Sequence, residues 1–167
     1  MTEATLDEFA DDQRARANVV RLSIAQALTG ANSAVIFATG SIVGATLAPS
    51  LALATVPLSV YVLGLAMATL PTGYISRRYG RRTAFIVGTG FGTLTGVLGC
   101  IAILRGSFAL FCVATMLGGF YGAVSQSYRF AAADGASAAF RPKAVSWVMA
   151  GGVFAGVLGP QMVQWTM

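Results

Sequence analysis

From residue 22 to residue 76 the chain carries no aspartate, glutamate, lysine, arginine or histidine. About 20 apolar residues in a helix cross the hydrocarbon core of a bilayer. This run is long enough to cross twice. Its natural break is Ala48-Pro49-Ser50, where proline lacks a backbone donor and disfavours helix continuation. Of the 167 residues, 56% are hydrophobic and 10% charged, against about 25% charged in an ordinary soluble domain. A soluble fold of this size has no place for so much apolar surface. In lipid the backbone must satisfy its own hydrogen bonds, which calls for helices.

Charges punctuate the rest of the sequence. The fold class expected is an all-α integral membrane protein with five transmembrane helices, at about 22–47, 51–74, 83–104, 108–130 and 144–167. Residues 1–21 form a polar leader, and residues 22–167 form the bundle. The leader holds Glu3, Asp7, Glu8, Asp11 and Asp12, then Arg14, Arg16 and Arg21. A cleavable signal begins basic and has a brief apolar core. This leader begins acidic and precedes a far longer apolar run, so it is expected to stay attached.

Positive residues orient the bundle. With the N-terminus in the cytoplasm, the inner segments hold ten of the eleven cations and the outer ones hold Arg105 alone. That predicts a cytoplasmic N-terminus and an external C-terminus, in a bacterial inner membrane. Because the arginines sit at segment ends, the net charge of +5 marks topology and does not suggest nucleic acid. Cys100 and Cys112 lie in apolar stretches and read as buried thiols. With no histidine, no carboxylate inside a span and no nucleophile arrangement, neither an enzyme nor a metal site is expected, and no cofactor is implied.

Glycines recur at helical spacing: Gly40 and Gly44; Gly88, Gly92 and Gly96; Gly118 and Gly122; Gly152 and Gly156. In membranes such residues let helices approach closely. The run Gly88-Thr-Gly90-Phe-Gly92 is no dinucleotide loop, since no strand precedes it. A faint internal echo pairs Ala25-x-x-Leu28-x-Gly30-x-x-x-Ala34-Val35 with Ala114-x-x-Leu117-x-Gly119-x-x-x-Ala123-Val124. A three-helix repeat would place the first and fourth spans in equivalent positions, and chance matching of common residues is its rival.

The segment Gly73-Tyr-Ile-Ser-Arg77-Arg78-Tyr79-Gly80-Arg81-Arg82 reads as a tight basic loop between the second and third spans. Each arginine would cost a few kcal/mol at the bilayer centre, so the segment belongs in water. It resembles the signature loop of the major facilitator superfamily of transporters. Gly73, Arg78, Gly80, Arg81 and Arg82 match that pattern in register, while Arg77 stands where the family has an acid. That acid helps latch the two halves of such transporters, and Asp134 is a candidate substitute through Arg81 or Arg78. Gly152, Gly156, Gly159 and Pro160 resemble the glycine-proline motif of family antiporters, with generic glycine packing as the alternative. The family's fourth helix often carries an arginine where this chain has Thr115.

The resemblance covers nearly the whole chain. It implies the N-terminal bundle of a secondary transporter, apparently truncated after its fifth span, moving a small solute by alternating access. Transport sites in such folds lie near the midplane between two bundles. The polar residues within spans are therefore cavity candidates: Gln26, Asn32 and Ser33 in the first, Tyr121 and Gln126 in the fourth, and Gln161 in the fifth. The alternative reading for each of them is packing glue between helices. Arg129 marks a helix end, pairs with Asp134 or binds an anionic solute. The partners implied are the lipid bilayer, an unidentified small-molecule substrate, and a second helical bundle in the same protein or another chain. The alternative function is a truncated, non-transporting protein that packs with or assists a full-length carrier.

Overall fold

The computed structural model describes residues 3–166. Met1, Thr2 and Met167 lie outside the described residues, as do the side chains of the leader's acids and of Arg14. The elements are α1 (Glu3–Leu47), a short 3-10 turn (Leu51–Leu53), α2 (Val56–Tyr79), α3 (Arg81–Leu104), α4 (Phe108–Ser125), α5 (Tyr128–Asp134) and α6 (Arg141–Thr166). There is no strand among the described residues. Five helical segments are long and apolar enough to cross a membrane. At 1.5 Å per residue, the 24 residues of α2 span roughly 36 Å, more than a bilayer core.

The expected boundaries shift in instructive ways. The first span continues an earlier helix: α1 runs unbroken from Glu3, and Ala15 and Val19 are buried in one cluster with Tyr128, Ala132, Ala144 and Val148. The second helix starts at Val56, because Pro57 suits a first helical turn and the residues before it form the 3-10 turn. The fourth span breaks at Gln126 and Ser127 and resumes as α5. Ser125 lies at the break, and its hydroxyl donates to the Gly122 carbonyl (2.7 Å), a local bond that competes with helix continuation. The fifth begins at Arg141, after Ser137 accepts from the Phe140 amide.

The tight basic loop is the main correction. Only Gly80 is non-helical between α2 and α3. Its φ of 85° and ψ of 158° belong to a region essentially restricted to glycine. Arg77 and Arg78 thus occupy the last turn of α2, where cations favour the helix dipole. Arg81 and Arg82 open α3, where they oppose it.

The fourth span is the hub. Half of its apolar window is buried, against 17–22% in the other four spans. It packs on α2 along one side and α3 along another, while α1 packs chiefly on α6. Glycine sets these crossings. A Cβ at Gly119 would meet the Tyr61 carbonyl, and one at Gly64 would meet the Met116 carbonyl. On the other pair, Gly30 meets Ala155, Gly151 meets the Ser23 carbonyl, and Gly159 meets Ala34. Gly30 and Gly119, the paired glycines of the internal echo, are each the point of close approach to another span. The packing stripe of α6 is therefore Gly151-Ala155-Gly159. Gly156 has open space around it, as does Gly96 of α3.

Substituting Gly119→Leu should destabilise the bundle by about 1–3 kcal/mol, the usual cost of overpacking. Gly96→Leu should leave it unchanged. Thermal unfolding in detergent, comparing both variants with the parent, checks this; equal melting curves for Gly119→Leu and the parent would refute the crossing.

Candidate substrate cavity and basic end

A chain of hydroxyls crosses the middle of the bundle. Thr29 and Ser33 lie on consecutive turns of α1, Tyr61 comes from α2 and Tyr121 from α4. The Thr29 hydroxyl donates to the Ala25 carbonyl (2.8 Å), and that of Ser33 to the Thr29 carbonyl (3.1 Å). Each hydroxyl has one proton. Tyr121 Oη, 2.8 Å from Thr29 Oγ1, must therefore be the donor in that pair. Tyr61 Oη donates to Ser33 Oγ (3.0 Å). All four protons are committed inward, so the half-buried Tyr121 oxygen keeps lone pairs and offers an acceptor only, while that of Tyr61 is sealed inside the bundle.

The local packing explains why the rings stand there. Tyr61 is 2% exposed and Thr29 1%. The Tyr61 ring meets Phe37 edge-on at 5.2 Å between centroids and covers Gly118 and Gly122. Tyr121 lies across Gly92 of α3. Asn32, next to Ser33 in sequence, is half-buried, and its side chain forms no hydrogen bond among the described residues. It carries two donors and an acceptor not used by the protein.

The sequence candidates do not form one site. Asn32 and Tyr121 belong to the α1 and α4 region of the hydroxyl chain. Gln26 lies against Gly152 of α6. Gln161 and Pro160 are exposed on α6. Gln126 lines a separate hollow at the arginine-bearing end. Thr115, where the family often has arginine, is 3% exposed and donates to the Cys112 carbonyl (2.9 Å). Thr29 and Tyr61 were not singled out from the sequence. Their signals were the four-residue spacing of Thr29 and Ser33 and a tyrosine well inside an apolar span, away from the interfacial belt where tyrosine is usual.

That second hollow, about 890 Å³, lies between α2, α4 and α5 and is lined by Arg77, Arg81, Gln126, Arg129 and Asp134. Arg81 donates to Asp134, tying the start of α3 to the end of α5, and reaches the Ser127 carbonyl at 3.4 Å. Arg78 instead donates to its neighbour Tyr74 (2.8 Å). The Arg129 guanidinium lies over the Phe130 ring at 5.0 Å, and its Nε is buried without a hydrogen bond. Asp134 is 63% exposed, so its ion pair contributes little, ~0–1 kcal/mol.

A double-mutant cycle of Thr29→Val and Tyr121→Phe, read by thermal unfolding, should give a coupling of about 0.6 kcal/mol, typical of hydrogen bonds between membrane helices. A coupling of zero would mean the two hydroxyls do not interact.

The family model described as Major Facilitator Superfamily matches residues 22–166. A riboflavin transporter, RfnT, of Brucella anthropi is 44% identical over 158 residues, 95% of this chain and 40% of the relative. Two uncharacterized MFS-type transporters of Bacillus subtilis are also similar. YdeG is 34% identical over 85% of this chain and 33% of its own length. YddS is 32% identical over 74% and 29% respectively. The chain thus spans well under half the length of the curated relatives it matches. No solved structure matches it.

Proposed function

The chain belongs to the Major Facilitator Superfamily, and on that premise we propose that it forms one bundle of a secondary transporter that carries a flavin-like solute by alternating access. A second bundle, in the same polypeptide or another chain, would supply the other wall of the pathway. No covalent chemistry is assigned to it.

One observation carries the substrate reading: the mid-bundle hydroxyl pairs of Tyr121 with Thr29 and of Tyr61 with Ser33, with the half-buried Asn32 amide next to Ser33 in sequence and Phe37 beside Tyr61. Riboflavin joins a flat aromatic ring system to a hydroxyl-bearing chain. The half-buried Tyr121 oxygen, restricted to accepting, suits the hydroxyl donors of such a chain. Asn32 suits the mixed donor and acceptor edge of the ring, and the aromatic faces suit its plane. The 44% identity to a riboflavin transporter over most of this chain supports the same class.

The proposed orientation puts the end bearing Arg77, Arg78, Arg81 and Arg82 in the cytoplasm. The ion pair of Arg81 with Asp134 and the stacking of Arg16 over Phe140 support a common end for α1's start, the α2–α3 joint and the α5–α6 link. Arg105 lies at the opposite end, and the positive-inside rule then favours this topology.

Two measurements test these readings. The complete gene, expressed in a riboflavin-requiring strain without its own uptake system, should drive accumulation of radiolabelled riboflavin. Asn32→Ala should cut the initial rate roughly tenfold, the worth of one well-placed hydrogen bond. No uptake by the parent protein sinks the substrate class, and an unaffected Asn32→Ala variant removes Asn32 from the site. For topology, a cysteine replacing Tyr79 in a Cys100→Ser, Cys112→Ala background should react with an impermeant maleimide only after permeabilisation. One replacing Arg105 should react in intact cells. The reverse pattern inverts the orientation.

A further inference from the structure

A slot of about 710 Å³ opens between α1 and α3 at the arginine-bearing end of the bundle. These two helices pack mainly on α6 and α4 respectively, and the slot is floored by Ala131 of α5. Its outer end holds Arg21, Arg82 and the Asn18 amide. Farther in, the lining turns apolar, with Leu22, Phe85 and Ile86. Thr89 completes the lining, and its hydroxyl is satisfied by the Phe85 carbonyl. Thr89 lies seven residues beyond Arg82 on α3, roughly 10 Å deeper along the helix. Ile86 is 63% exposed, so the slot faces sideways into hydrocarbon.

Both arginines are exposed, and neither has a carboxylate partner among the described residues, where Arg81 with Asp134 is the one ion pair. Two unpaired guanidinium groups above a lateral apolar slot match one chemistry: an anion joined to a hydrocarbon chain. Guanidinium pairs with phosphate oxygens through parallel hydrogen bonds, which makes it the suitable cation at such a site. We propose that this slot binds one anionic phospholipid, with the phosphate between Arg21 and Arg82 and an acyl chain along Leu22, Phe85 and Ile86. The inference is independent of the transport reading and of the bundle's orientation, since it needs only the leaflet on the arginine side. Basic pockets between membrane helices hold lipid headgroups in this way, each nearby cation adding to the attraction.

Native mass spectrometry of the gene product, purified in detergent and titrated with dioleoylphosphatidylglycerol or dioleoylphosphatidylcholine, tests it. The first bound lipid should favour phosphatidylglycerol roughly tenfold. Arg21→Gln with Arg82→Gln should abolish that preference, while Arg105→Gln at the far end should keep it. Thr89→Trp, which fills the slot and leaves the charges alone, should weaken phosphatidylglycerol binding as well. Melting curves in lipid-free detergent should be unchanged, since the substituted side chains are all exposed. Equal binding of the two lipids, or a preference that survives the double substitution, overturns the proposal. Competition by glycerol phosphate at the lipid's own concentration also overturns it, because that would make the site one for soluble anions.

Discussion

The bundle hangs on the contact between the backbones of α2 and α4, where Gly64 and Gly119 leave no room for a side chain. Lipid removes the hydrophobic drive that would press helices together in water, so association depends on close van der Waals approach and interhelical hydrogen bonds. The crossing allows Tyr61 to sit under α4, cover Gly118 and Gly122, and reach Ser33 of α1. The same helix α4 carries Tyr121 across to Thr29 on its other side. One backbone contact thus holds in place the side chains that define the middle of the molecule.

The lipid solvent also explains how polar side chains are used. Most threonines and serines of the spans turn back on a carbonyl three or four residues earlier, among them Ser23, Thr39, Thr69, Thr95 and Ser146. Such a hydroxyl costs little in hydrocarbon because its proton is already satisfied. An asparagine amide has more groups than a local turn can absorb. Asn32 is therefore chemically distinct from the hydroxyls around it, even though its sequence neighbours are ordinary.

The five apolar segments and their order were legible in the sequence, because charge spacing alone separates them. The ends were less so. Ala15 and Val19 look like part of a polar leader until the partners that bury them, Tyr128 and Val148, are brought close by the tertiary fold. The α6 stripe was read one residue out of register. Gly152 and Gly156 have the spacing of a packing face, but the face in contact uses Gly151, Ala155 and Gly159. Spacing reveals that a small-residue stripe exists; only the neighbouring helix decides which of two adjacent stripes it meets. The candidate site was half visible for the same reason. Amides and a tyrosine in apolar spans stand out, whereas Thr29 matters only because Tyr121 comes across from another helix.

The single residue between α2 and α3 has a mechanical consequence. A joint of one residue holds the end of α2 and the start of α3 together, and its backbone angles are open only to glycine. Away from it the two helices lean on α4 more than on each other. Their near ends are therefore pinned by the chain, and their far ends are placed by a third helix.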